Sequence, residues 1–226
     1  MSKTLRVAFS LMLVLSIPAL SWAFVDPGIE GAVDKTSFNV PRVYHPEIQA
    51  QLKNRPAWQA FLSEHGRWTV KFNEKTGIPR LAFGEPLTLP GVARIDADNL
   101  EQVCGMFLQE LSEVIPISVE ELRLVYSKEI FGRKWFVTYQ QFVDDVPILR
   151  GEVKLRLTTD GKLSMFTADV YSDVEVSILP SLSFEEAVQF ASVGVSFDRK
   201  RDVATGGNLV VLPIENQTGY DFHLAY

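Results

Sequence analysis

The chain predicts an α+β fold: a long helix packed on an antiparallel sheet, followed by a second, partial helix-plus-hairpin unit. Three observations carry this. Leu100, Val103, Cys104, Phe107, Leu108, Leu111, Val114 and Ile115 fall at steps of three and four, one apolar stripe on a helix from Asp98 to about Ile115. Between Trp135 and Tyr171, β-branched and aromatic residues alternate with polar ones on both sides of an Asp160-Gly161 turn. After Pro180, Ser183-Phe-Glu-Glu186 opens another helix, and two alternating segments, Leu209 to Ile214 and Tyr220 to Tyr226, follow it.

The first residues read as an export signal. Lys3 and Arg6 form a positive start, Val7 to Leu20 an apolar run, and Ser21-Trp22-Ala23 places small residues at −3 and −1, so cleavage is expected after Ala23. The run is short and interrupted by Ser10, Ser16 and Pro18, which argues against a membrane span. Removing residues 1–23 takes away two basic residues and no acidic one, so a chain with a formal charge of −6 becomes more acidic still. That charge argues against nucleic acid, since phosphate binding needs a basic face. With one cysteine, Cys104, no internal disulfide is available.

Residues 24–44 have no sustained period and read as a lead-in. His45-Pro46 opens a weakly helical stretch to Leu52, and Arg55-Pro56 restarts it with Trp58, Phe61 and Leu62 on one face and Gly66 as its stop. Trp68-Thr-Val-Lys-Phe72 alternates as a strand and runs into a turn at Asn73–Gly77. Asp98 with Glu101 has capping-box spacing at the start of the long helix, and Pro116 ends it. Ser118 with Glu121 repeats that spacing over one short turn, before an extended Leu122 to Tyr126. Val153, Leu155 and Leu157 alternate with Lys154, Arg156 and Thr158, a strand with one buried and one wet face. Thr159-Asp-Gly-Lys162 is expected to be a two-residue hairpin. The last strand pattern runs to Tyr226 with no turn signal after it, which suggests a truncated module.

Catalytic chemistry is hard to find. His45, His65 and His223 are the only histidines and none lies four residues from another, so the His-Glu-x-x-His zinc motif is absent. No Gly-x-Ser-x-Gly elbow is present. Cys104 lies on the apolar stripe and reads as a buried, inert thiol rather than a nucleophile. The carboxylate pairs Glu120-Glu121 and Glu185-Glu186 suit helix starts, and Asp144-Asp145 suits a wet turn. Lys154 with Arg156 reads as the outer face of a strand, and Arg199-Lys-Arg201 as a loop flanked by Asp198 and Asp202. Asn216-Gln-Thr218 has the form of a glycosylation sequon.

The order of an aromatic strand ending in Gln141, a Val146-Pro147 bend, Gly151, and a hairpin closing on Asp160-Gly161 resembles the FTP domain. That is the propeptide ahead of thermolysin-like and fungalysin-like zinc metallopeptidases. Gln141, Val146, Pro147, Gly151 and Gly161 match as fold markers, not as catalytic residues. Asp145 stands where the family most often has Gly, and Asp tolerates positive φ better than most residues. Thr76-Gly77-x-Pro79 is a weaker match to the start of such pro-regions. Ser183, Glu185, Glu186, Ala187 and Leu224-Ala225-Tyr226 resemble the PepSY-like unit that follows in that family.

The resemblance implies a division into a signal peptide (1–23), a lead-in with a short helix (24–67), an FTP/cystatin-like propeptide domain (68–178) and a partial PepSY-like module (179–226). It implies a secreted or periplasmic pro-region, itself no enzyme, acting as intramolecular chaperone and temporary inhibitor. The partner would be a metallopeptidase domain in cis. No cofactor or metal is expected in this chain, with zinc only in a downstream catalytic domain. Two alternatives stay open: a stand-alone exported inhibitor or binding module acting in trans, and a borrowed pro-domain that folds a non-peptidase partner.

Overall fold

The computed structural model describes residues 43–194, 198, 200–204 and 207–226. The export signal, with its expected cleavage after Ala23, and most of the lead-in lie outside them. The described residues form a mixed α+β structure with a mostly antiparallel sheet and four α-helices. The helices are α1 (Pro46–Lys53), α2 (Pro56–His65), α3 (Leu100–Glu110) and α4 (Phe184–Gly194). The strands are β1 (Trp68–Phe72), β2 (Pro79–Thr88), β3 (Leu122–Ile130), β4 (Lys134–Val143), β5 (Val146–Thr158), β6 (Lys162–Asp169), β7 (Val210–Glu215) and β8 (Tyr220–Ala225). Among the described residues, no helix is long and apolar enough to cross a membrane.

Six strands lie in the order β1-β2-β6-β5-β4-β3, each antiparallel to its neighbours. Strand β7 joins through β5 in parallel, at the single pair Ile148 and Val211, and β8 pairs with β7. The alternation expected along β5 is present: Val153, Leu155 and Leu157 are buried, while Lys154 and Arg156 face water. They share a core with Trp58 and Phe61 of α2, Val70 and Phe72 of β1, Phe166 of β6, and Val103, Cys104, Phe107 and Leu108 of α3. Burial of side chains this size, at about 1.5–3 kcal/mol each, is what holds the helices to the sheet.

Four expectations need correction. The long helix is shorter than its apolar stripe. The regular helix ends at Glu110, although Leu111, Val114 and Ile115 remain buried: the Leu111 and Ile115 amides still reach back four residues, but those of Ser112 and Val114 reach back only three, so the chain tightens into turns before Pro116. A residue preceding proline is pushed out of the α region, so the helix has to unwind before it gets there.

The start of α3 is built differently too. Its N-cap is Asn99, not Asp98, and Asp96 Oδ1 accepts from the Asp98 and Asn99 amides at 3.2 and 3.3 Å while Asn99 Oδ1 accepts from the Asp96 amide. The Asp160-Gly161 hairpin has three loop residues, because Thr158 pairs with Lys162. Gly161, at φ 83°, supplies the left-handed residue that closes a three-residue loop, and its amide donates to the Thr158 carbonyl at 3.1 Å.

Finally, β2 was not expected at all. Pro79, Gly84 and Pro86 hide it from a propensity reading. The sheet accommodates them by a register shift between Phe83 and Leu87 against β6.

Candidate functional site

Four of the five expected fold markers meet at one place, where β5 changes partners. Residues Glu152 to Thr158 of β5 pair with β6, whereas Ile148 pairs with β7. Between these, β4 and β5 lose register: Gln140 faces Glu152 and Phe142 faces Pro147, so the intervening β5 residues bulge out. Arg150 takes φ 63° within the bulge. Gln140 Nε2 fills it, donating to the carbonyls of Ile148 at 2.6 Å and Gly151 at 2.8 Å. A Cβ on Gly151 would come within 2.9 Å of the Ile148 Cβ, so a side chain there would push against the residue that seats β7.

Gln141 is wholly buried, and its amide acts as a substitute strand. Its Oε1 accepts from the Tyr171 amide at 2.9 Å, and its Nε2 donates to the Tyr171 carbonyl at 2.6 Å and to Glu121 at 2.9 Å. Both backbone polar groups of Tyr171, two residues past the end of β6, are thereby satisfied. Tyr171 in turn packs on Tyr220 and Phe222 of β8, with ring centroids 4.8 and 5.4 Å apart. Ile148, Tyr171 and Val211 form a second, small core, flanked by half-buried Val143, Val146, Tyr220, Phe222 and Leu224. Val146 and Pro147 open β5 directly after a two-residue turn in which Asp144 and Asp145 have φ of 45° and 72°. Asp145 therefore does adopt positive φ, and it also pairs with Arg123. Gly161, the fifth marker, lies at the opposite end of β5, against the Val92 carbonyl.

The β7–β8 hairpin has a further anchor. Lys75 Nζ donates to the carbonyls of Asn216 and Gln217 at 3.1 and 2.6 Å, and Asn73 Nδ2 donates to the Tyr220 hydroxyl at 3.2 Å. Asn216, the sequon residue, uses its own Oδ1 to accept from the Thr218 and Gly219 amides.

The titratable residues singled out in the sequence stand apart. Glu74 holds His45, with His45 Nδ1 at 2.7 Å and the His45 amide also at 2.7 Å, and Gln49 donates to it at 2.9 Å. Burial would raise the Glu74 pKa, but hydrogen bonds from His45 and Gln49 outweigh that and hold it below the ordinary carboxylate value. His223 lies in β8 opposite Leu212. His65 ends α2 beside Glu110, with Nε2 to Oε1 at 3.2 Å. Cys104 is fully buried, and burial pushes its thiol up to about 12, so it is a packed side chain without thiolate character at neutral pH.

Ser183 and Glu186 form the complete reciprocal capping box at the start of α4: Ser183 Oγ accepts from the Glu186 amide, and Glu186 accepts from the Ser183 amide. The Ser183 amide and hydroxyl, both donating to the Glu186 carboxylate, lower its pKa. At Ser118 only half of the box forms, since Ser118 accepts from the Glu120 amide while Glu121 turns instead to Gln141. Lys154 pairs with Glu152 at 2.6 Å, and the Arg156 guanidinium lies over Phe136. In the basic loop, the Lys200 amide donates to Asp198 and the Asp198 amide to Asp202.

Sequence reasoning missed two glutamines, Gln140 and Gln49. Gln49 is buried and makes for β1 the contact that Gln141 makes for Tyr171: the Phe72 amide donates to its Oε1 and its Nε2 donates to the Phe72 carbonyl, both at 3.0 Å. The only available signal was a glutamine placed among helix positions that otherwise turn to water.

No protein-family model matches the chain, and no curated protein matches it. Among solved structures, it is similar to the Bacillus megaterium YpeB C-terminal domain, at 14% identity, over 81% of this chain and 85% of that one, with a TM-score of 0.35. A likeness that loose assigns neither family nor activity.

Proposed function

We propose that this chain is the exported, non-catalytic pro-region of a zinc metallopeptidase, templating the fold of that enzyme and covering its cleft until it is cut away. The observation that carries the reading is the joint at β4 and β5. Four of the five residues that match the propeptide pattern, Gln141, Val146, Pro147 and Gly151, belong to the structure that hands the sheet over to the C-terminal hairpin. They are spent on architecture, as fold markers should be.

What the joint carries is suited to binding. Among the described residues β8 pairs only with β7 and keeps an open edge. The nearby helix α4 leaves Phe190 and Val193 68% and 87% exposed. An open edge and apolar side chains together favour a protein partner. Held in the same chain, such a partner would meet this surface at high effective concentration, and modest contacts would suffice until the connection is cleaved.

A second reading rests on the same open edge: a free module that adds a strand from its target in trans. The test is to add the purified chain, from residue 24 onward, to a thermolysin-like zinc peptidase acting on a small peptide substrate. The proposal expects the initial rate to fall as the chain is added, and refolding of the denatured peptidase domain to improve. An unchanged rate together with unchanged refolding would overturn it. Inhibition without any help in refolding would favour the trans-acting module.

A further inference from the structure

We propose that Glu64, His65 and Glu110 form a site for a divalent transition-metal ion, clasping the end of α2 to the end of α3. This stands independently of the pro-region reading, and it departs from the expectation that the chain itself holds no metal. The three residues each offer one ligand atom, and these atoms all lie within 4.8 Å of one another. His65 Nε2 is 3.2 Å from Glu110 Oε1 and 4.0 Å from Glu64 Oε2. Ligands about 2.0–2.2 Å from one tetrahedral ion stand about 3.4 Å apart, so small carboxylate rotations would bring all three into range.

Charge and orientation favour a cation. Two carboxylates converge on one imidazole, and no Lys or Arg pairs with either of them among the described residues. His65 is the last residue of α2 and Glu110 the last of α3, so two helix C-termini add partial negative charge at the same spot. An imidazole among the ligands selects zinc, copper, nickel or cobalt over magnesium or calcium, which prefer oxygen alone.

The histidine is held before any ion arrives. Its side chain is only 12% exposed, its ring lies against Phe61 with centroids 4.8 Å apart, and its carbonyl accepts from Trp68 Nε1 at 3.3 Å. Glu64 stays exposed, which leaves a path for the ion and room for water to complete the coordination.

The alternative is a plain His65–Glu110 ion pair that docks two helices. Calorimetric titration of the whole chain with zinc, and cobalt absorption as a reporter of coordination, separates the two. We expect one zinc per chain, no comparable response to magnesium, and a rise in Tm with zinc. H65Q and E110Q should each weaken zinc binding by more than ~100-fold, beyond the ~10–100-fold that loss of an outer-shell partner costs, while H45Q and H223Q leave it unchanged. If H65Q or E110Q folds poorly, E64Q, on the exposed side, carries the same expectation. No saturable zinc binding, or equal binding by wild type and H65Q, would overturn the site. A Tm that drops in H65Q by the same amount with and without zinc would leave only the ion pair.

Discussion

The six-stranded body and the C-terminal unit are built from the same kinds of sequence signal, yet they end in different states. In the body, the inward face of the sheet is covered by α1, α2 and α3, and Leu155, Leu163 and Phe166 are wholly buried. In the C-terminal unit, β7 and β8 rest on the body through Ile148, Tyr171 and Val211, while every α4 side chain described stays at least partly exposed, with Phe190 and Val193 facing water. Local signals do not explain this: α4 starts on a complete capping box, whereas α1, α2 and α3 have no side-chain cap. What differs is whether a second layer exists to receive the apolar face, since a helix or sheet gains its stability by burying one side against another element. On the reading proposed above, this uncovered face is where the partner would dock.

The largest expected effect tests that contrast. Phe166→Ala in the body should cost about 3–5 kcal/mol, read by urea unfolding, whereas Phe190→Ser on α4 should stay within about 0.5 kcal/mol. A comparable loss for both would mean that α4 is packed as tightly as the sheet.

The joint comes next. Gln141→Ala strands the amide and carbonyl of Tyr171 and should cost about 2–4 kcal/mol. Gln141→Glu should fail to rescue it, because a carboxylate cannot donate to the Tyr171 carbonyl. Gly151→Ala presses on Ile148 and should cost about 1–3 kcal/mol. Its signature is faster hydrogen exchange in β7 and β8 with the body unchanged, and uniform loosening of both regions would show that the joint is not separable.

The smallest effect belongs to α1. The Glu74 carboxyl has its folded pKa below the ordinary value of 4.5. Its stabilising contribution is therefore complete above about pH 4.5 and disappears as pH falls through the depressed folded value. Protection of the α1 amides, corrected for the intrinsic exchange rate, should fall across that acid range in the wild type, and Glu74→Gln should flatten the dependence.

Much of the body was legible in the sequence because its signals are local. The β1 alternation, the buried stripe of α3 and the two-faced β5 follow from period and residue type, while the positive φ at Asp145 was implied by the family resemblance. What stayed hidden depends on partners far along the chain. Strand β2 contains two prolines and a glycine and is a strand only because β1 and β6 flank it. Gln49 and Gln141 read as ordinary polar residues until the fold places Phe72 and Tyr171 beside them. His65 and Glu110 sit on different helices, and no spacing rule brings them together. The shift of the α3 cap from Asp98 to Asn99 shows the same limit at short range, since several Asx residues in a row offer competing caps.

The central claim, that this chain serves a zinc peptidase in cis, is tested most directly by sequencing the coding DNA beyond the codon for Tyr226. The account predicts an open frame that goes on to encode His-Glu-x-x-His with a downstream glutamate. A stop codon at that point, or a frame encoding a domain of another kind, would contradict it.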